Sequence, residues 1–303
     1  MNTHIRERSL SMNTHICETC GTQFAPSVLA PAACPICDDE RQYVGWHGQR
    51  WSTHAELADR HVLRIGDDDG LLAIDMNGSF AIPQRMLLLP TAAGNVLWEC
   101  LSLVTADAVA CLRAAGGVDR IVISHPHFYS SMVSWSEALG GVPILLHGAD
   151  RAWVQQPSSA IAFWEGDSCV LGDGVTLVRT GGHFPGSTAL HWERARGRGA
   201  LFVGDSPHVA TDRRHVGFLY SYPNFMPMAV CSVRAMQERL APLHFDDVYG
   251  FSWGRNIIGG GRQAVDDSFA RYFRAMERPP AHRSELVQTP ATLASFTDAK
   301  ETQ

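Results

Sequence analysis

Two histidines one residue apart close an apolar, β-branched run: Ile121, Val122, Ile123 and Ser124 lead into His125, Pro126 and His127. Neutral imidazole is a common ligand for zinc and iron. Residues i and i+2 of a strand project to the same side, so alternation would aim both rings at one spot. A histidine pair alone is as much at home as a structural, hydrogen-bonded pair. Two further apolar runs, however, lead to metal-ligand residue types. One precedes Gly181-Gly182-His183-Phe184-Pro185-Gly186-Ser187, and the other is Leu201-Phe202-Val203-Gly204-Asp205. Three histidines and a water on zinc are a complete catalytic set, in which the ion lowers the pKa of its water to about 7 and polarises a carbonyl. Asp205 would orient or deprotonate that water. The chemistry indicated is hydrolysis of an ester, thioester or lactone.

A second donor set lies near the N-terminus, in Cys17-Glu18-Thr19-Cys20-Gly21 and Cys34-Pro35-Ile36-Cys37. Each pair forms a tight turn that aims two thiolates at a tetrahedral ion, and Gly21 and Pro35 stand where such turns need them. The segment resembles a zinc ribbon or a rubredoxin-like knuckle. Zinc, the expected ion, makes it structural; iron would make it an electron carrier. A segment of about 30 residues has too little core to fold alone, so the metal would supply its stability. Cys111, Cys169 and Cys231 read as ordinary small apolar residues.

Other clusters of titratable residues are weaker. His208 and His215 follow Asp205 and read as surface histidines. His147 ends an expected strand and is placed to support the metal ligands, Asp150 reads as a helix N-cap, and His244 comes early for a ligand. Glu99 is a candidate acceptor for the second ring nitrogen of a metal-bound histidine. Trp164, Phe184, Tyr220, Tyr222, Phe225 and Trp253 are available as pocket aromatics.

The elements that must position these residues follow from pattern. Strands are expected over 71–75, 86–89, 96–103, 121–124, 143–146, 160–164, 169–171, 175–179, 188–192, 201–205 and 247–249. Helices are expected after Thr53, over 105–115, from Ser130 or Ser131 to 139, and over 227–240 and 262–276, with a short one at Asp150. The strands fall into two clusters, each followed by helices, which indicates an α+β fold of two mixed sheets packed face to face with helices outside. With 303 residues, 45% of them hydrophobic and 18% charged, the chain can bury a large core. A net charge of −6 and the lack of a basic block argue against nucleic acid or an anionic membrane as partner. No apolar run approaches the ~18 residues that span a bilayer. The expected partner is a small-molecule substrate, the expected location cytoplasmic, and the oligomeric state is left open. Residues 1–11, whose Met1-Asn2-Thr3-His4-Ile5 recurs from Met12, read as a disordered extension. Residues 12–42 form the knuckle, 43–278 the main domain and 279–303 a tail.

The order and context of His125, His127, His183 and Asp205 resemble the metallo-β-lactamase superfamily over roughly residues 60–260. That family carries His-x-His-x-Asp-His, then Gly-His-Thr-Pro-Gly-Ser, then a Gly-Asp after a strand. The resemblance implies an αββα sandwich with the site at one edge of the two sheets. It also implies a metal, one zinc or iron, on His125, His127 and His183 with Asp205 beside it. The chain departs where the family has Asp-His, for it has Tyr129-Ser130, and Val248 to Gly254 offers no late histidine. A mononuclear centre is therefore expected. Tyr129 would ligate weakly or hydrogen-bond a metal-bound oxygen, or else pack beside Phe128. Two alternatives stay open. His125, His183 and Asp205 match the iron subset used by the persulfide dioxygenase branch, and a degenerate, non-catalytic binding domain is the other.

Overall fold

The computed structural model describes residues 12–78 and 80–277. The expected N-terminal extension (1–11) and the whole of the C-terminal tail (279–303) lie outside them. Alternate residues of the central strands are buried on both faces, which is what a strand between a second sheet and a helix layer requires. Leu87 and Leu89 face one way and Met86 and Leu88 the other, within the strand Arg85–Thr91. The first sheet has seven strands in chain order: Val62–Asp68, Leu71–Asn77, Arg85–Thr91, Gly94–Trp98, Arg120–Val122, Ile144–His147 and Ile161–Trp164. Its first four strands pair antiparallel and its last four parallel. The second sheet has six: Ser168–Gly172, Val175–Arg179, Thr188–Trp192, Ala200–Phe202, Asp247–Tyr249 and Asn256–Ile258. All its pairs are antiparallel except Ala200–Phe202 with Asp247–Tyr249.

Between the sheets, Leu87, Val96, Trp98 and Val122 meet Leu177, Leu190, Phe202 and Tyr249. The outer face of the first sheet, through Leu88, Leu97, Ile121 and Ile144, is covered by Ala106–Ala114 and Met132–Ala138. Val178, Leu201 and Val248 on the outer face of the second sheet are covered by Val230–Leu240 and Gly261–Met276. The architecture is therefore the expected αββα sandwich. Thr105 caps its helix by accepting from the Ala108 amide, and Thr53 with Glu56 forms a capping box on His54–Arg60.

Several boundaries differ from the pattern. The strand expected to run to 103 stops at Trp98, because Glu99 takes a positive φ of 65°. The helix expected from 227 starts at Val230, since Met226–Pro227 pairs with Leu219–Ser221 instead. The strand Val62–Asp68 was not expected. It is an edge strand, largely exposed and charged, so it carries little hydrophobic signal.

The knuckle is joined to this body. Ile16–Cys17 pairs with Trp51–Ser52, so hydrogen bonding runs across the boundary placed after residue 42. Gln23 N donates to Ser130 O at 2.9 Å, Ser102 Oγ to Gly21 O at 2.8 Å, and Ala25 N to Gln155 O at 3.2 Å. Trp153 packs on the knuckle's own core of Phe24 and Ile36.

A buried polar group ties the loop after Tyr249 to the first sheet. Arg85, 1% exposed, pairs with Asp68, donates to Gly250 O at 2.8 Å and to Asn256 Oδ1 at 2.6 Å. Burial lowers its guanidinium to about 9. Arg85→Ala would leave Asp68 buried without its cation, and a loss of about 3–5 kcal/mol is expected in chemical denaturation. A loss below about 1 kcal/mol would show that the pair contributes nothing beyond its neighbours.

Candidate metal centre

Four strands end around one point. Arg120–Val122 delivers His125 and His127, Val175–Arg179 delivers His183, and Ala200–Phe202 delivers Asp205. The fourth, Thr188–Trp192, joins the two sheets there through Thr188 N donating to Ser124 O at 2.9 Å. One donor atom from each of His125, His127, His183 and Asp205 lies within 4.8 Å of the others, and all four side chains are buried. Asp205 Oδ2 is 3.4 Å from His125 Nε2, 3.6 Å from His183 Nε2 and 4.0 Å from His127 Nδ1. His183 Nε2 and His127 Nδ1 are 3.1 Å apart. Donors about 2.0–2.1 Å from a shared ion in tetrahedral array would stand about 3.4 Å apart. The spacing fits.

Strand alternation does not bring His125 and His127 together. The strand stops at Val122, His125 is extended (φ −168°), and His127 sits inside the single 3-10 turn Pro126–Phe128. The turn makes the two rings present different nitrogens to the same point, Nε2 from His125 and Nδ1 from His127. Gly204 is required next door: a Cβ there would lie 2.3 Å from Ser124 Oγ and 3.1 Å from His125 Nδ1.

The far sides of two of the three rings are held, while His127 Nε2 is buried without a partner. Ser124 Oγ is 2.8 Å from His125 Nδ1, and His183 Nδ1 donates to Tyr220 O at 2.8 Å, leaving both Nε2 atoms to face Asp205. Glu99 lies behind this layer, as an acceptor: its Oε2 takes the Ser124 amide at 3.2 Å, and burial pushes its carboxyl up to about 8. It holds Ser124 rather than a ring nitrogen. Burial lowers His127 well below the ordinary imidazole range. It also lowers His183 to about 3, with His125 adding to the effect. Burial opposes ionisation of Asp205, yet the imidazoles of His125 and His208 hold its carboxyl well below the usual range. Neutral rings around a carboxylate are a cation-binding set. His125 Nε2 is buried without a hydrogen-bond partner, as an atom reserved for an ion would be.

The Tyr129 hydroxyl is not brought into this set. It is directed to Asp150 O at 3.4 Å, and the ring packs in the core under the first sheet. Ser130 Oγ accepts from Gln84 Nε2 at 2.8 Å, and its carbonyl accepts from Gln23 N of the knuckle. His147 accepts from Ala149 N and bonds Gly166 O, away from the donors. Asp150 is no N-cap; its carboxylate takes Gly186 N at 2.8 Å and so fixes the loop that carries His183. His215 is engaged with Asp212, and the peptide carbonyl of His244 accepts from His191. His208, read from pattern as a surface histidine, turns inward, and no pattern singles out Arg41 at all. His208 Nδ1 is 3.8 Å from Asp205 Oδ1, its ring between Tyr222 and Phe251. Arg41 donates to His183 O at 3.2 Å and lies 3.9 Å over the Phe184 ring. The Arg41 contact, across 142 positions, leaves no mark in local spacing.

The second donor set is closed. Cys17 Sγ is 3.6 Å from Cys37 Sγ, and Cys20 Sγ is 3.7 Å from Cys34 Sγ. Sulfurs about 2.3 Å from a common ion would stand about 3.8 Å apart, whereas a disulfide needs about 2.05 Å. The neighbouring thiols, Cys20 first, hold Cys17 well below the thiol range, while Cys17 pushes Cys20 and Cys37 up. Only a cation lets all four ionise together. Gln49 Nε2 reaches Cys17 Sγ at 3.2 Å and its Oε1 takes Cys34 N. Among the described residues, these are the two sets in which three or more such side chains converge.

His125→Ala and His183→Ala are each expected to remove one metal equivalent and leave the four-cysteine ion bound, as read by elemental analysis. Unchanged metal content in both would contradict the site. A second expectation concerns pH. Burial raises Asp150 from 3.8 to about 7, so the folded chain holds a proton there that the unfolded chain releases. That stabilisation is full below the ordinary carboxylate range and is lost as pH rises through about 7. Asp150→Asn should therefore flatten the fall in denaturation midpoint between about pH 5 and about pH 8. An unchanged slope would contradict this assignment.

No family model matches the chain. YmaE of Bacillus subtilis (strain 168), an uncharacterized protein, is 36% identical over 282 residues, covering 92% of this chain and 100% of that protein. The DIM-1 metallo-β-lactamase superposes with a TM-score of 0.52 at 13% identity, over 70% of this chain and 98% of that one. The metal-soaked Flv1 flavodiiron core from Synechocystis sp. PCC6803 gives 0.50 at 13% identity, over 72% of this chain and 62% of that one. At these identities the structural likeness is one of fold. With the sandwich, the buried donors and a full-length relative in hand, the chain has the metallo-β-lactamase fold and belongs to the same family as YmaE.

Proposed function

We propose that the protein is a hydrolase with a mononuclear zinc centre, acting on an ester, thioester or lactone. The observation that carries this is one convergent set of three imidazoles and a carboxylate, with His127 and Asp205 lining a cavity. His125 Nε2, His127 Nδ1 and His183 Nε2 would hold the ion, facing Asp205 Oδ2. A bound zinc there supplies a water of lowered pKa and Lewis acidity toward a carbonyl. Asp205, ionised throughout the working range, accepts a hydrogen bond from the attacking water and orients it. Tyr222 fixes Asp205 by donating to its backbone carbonyl at 2.7 Å. Phe184, 4.8 Å from the His127 ring and 5.2 Å from that of His183, keeps water from the inner side. Tyr129 takes no part, since its hydroxyl is directed elsewhere. The four-cysteine ion is structural, again with zinc as the proposed metal.

Zinc-loaded protein is expected to turn over neutral esters, thioesters or lactones. Ser124→Ala, which frees the far side of His125, should lower metal affinity or activity by about 10–100-fold. Oxygen uptake with a persulfide by the iron-loaded protein, without ester turnover, would replace this reading by an oxygenase. A fully loaded centre inert in both assays would leave a binding domain.

A further inference from the structure

The cavity above Asp205 has about 200 Å³ of space. The main domain gives it an apolar side, with Ile82, Pro83 and Phe251. The facing side includes Thr19, Gln42 and Tyr43, all from the knuckle and the segment leaving it. Among the described lining residues there is no Lys or Arg. Arg41 is adjacent in sequence, but its guanidinium turns away to Asp39, His183 O and the Phe184 ring.

That segment is fastened in place. Ser221 Oγ donates to Arg41 O at 3.1 Å, Tyr220 to Glu40 Oε1 at 2.6 Å, and Asn224 Nδ2 to Glu40 O at 3.1 Å. The same ribbon carries Tyr222 and the carbonyl that orients His183. The knuckle wall and the ring of a candidate metal ligand therefore rest on one support.

We propose that the four-cysteine knuckle is the substrate-selecting wall of the histidine–aspartate centre, and that it selects an uncharged, apolar group the size of a phenyl ring or short acyl chain. The size follows from volume, since a dry apolar cavity of about 150 Å³ holds benzene. The charge follows from the walls. A carboxylate on the substrate, away from the metal, would be desolvated against Ile82, Pro83 and Phe251 with no Lys or Arg among the described lining residues to meet it. The inference rests on the hydrolase reading only in taking the histidine–aspartate set as a metal centre.

The test is calorimetric titration of the zinc-loaded full chain with three hydroxamates, which chelate the ion directly. Acetohydroxamate reports the metal alone. Benzohydroxamate adds a neutral ring, and 4-carboxybenzohydroxamate adds the same ring with a charge. The wild type should bind benzohydroxamate about tenfold or more tighter than its carboxylated analogue. Tyr43 is 51% exposed, so Tyr43→Arg should fold. It should narrow or reverse that preference by about tenfold, with acetohydroxamate unchanged within about twofold. Thr19→Arg, within the first cysteine turn, should move the preference the same way. Equal affinities in the wild type, or a preference that neither variant moves, would overturn the knuckle wall while leaving the metal centre standing. Failure of all three hydroxamates to bind the wild type would overturn the metal centre and this proposal with it.

Discussion

Burying nitrogen and oxygen donors away from water is costly unless each finds a partner, and the organisation of this protein turns on that constraint. His125, His127, His183 and Asp205 crowd together in a pocket where burial keeps the His127 and His183 rings neutral and the facing nitrogen of His125 has no protein partner. The same holds of the four thiols near the N-terminus, of which the protein alone lets only part ionise. Both sets balance once a cation is supplied. The sandwich around the first set arranges strand ends from its two sheets so that the donors meet where the sheets are joined by the Thr188 amide and the Ser124 carbonyl.

The two sets differ in what they leave open. Four sulfurs surround their point completely, the closed arrangement of a structural site, whereas His127 and Asp205 also border a cavity. They are not independent modules either. The backbone of Ser130, where the superfamily motif has a histidine, receives a hydrogen bond from Gln23 of the knuckle. Positions that would supply a second metal ion in the motif serve packing and docking here.

Much of this was legible in the sequence, for physical reasons. His125, His183 and Asp205 follow apolar runs buried on both faces, and such runs announce both a strand and its end. The cysteine turns are local, so their spacing carries their geometry. The failures are of another kind. Arg41 reaches the centre across 142 positions, and no local spacing encodes that; His208 stands only three residues after Asp205, but what turns its ring inward is packing between Tyr222 and Phe251, which the sequence around it does not show. Tyr129 looked usable because it follows the histidines, but the 3-10 turn sends its hydroxyl to Asp150. The same turn replaced the alternation argument for His127. Edge strand Val62–Asp68 was invisible because its stability comes from seven register pairs with Leu71–Asn77 rather than from an apolar face.

X-ray absorption at the zinc and iron edges of the purified full chain tests most directly the claim that one body holds two metal centres of different donor type. The account requires two ligand environments: sulfur at about 2.3 Å, and nitrogen or oxygen at about 2.0–2.1 Å. The second should vanish in His183→Ala while the sulfur shell stays. A spectrum described by four sulfurs alone, in protein whose knuckle is fully loaded, would contradict it.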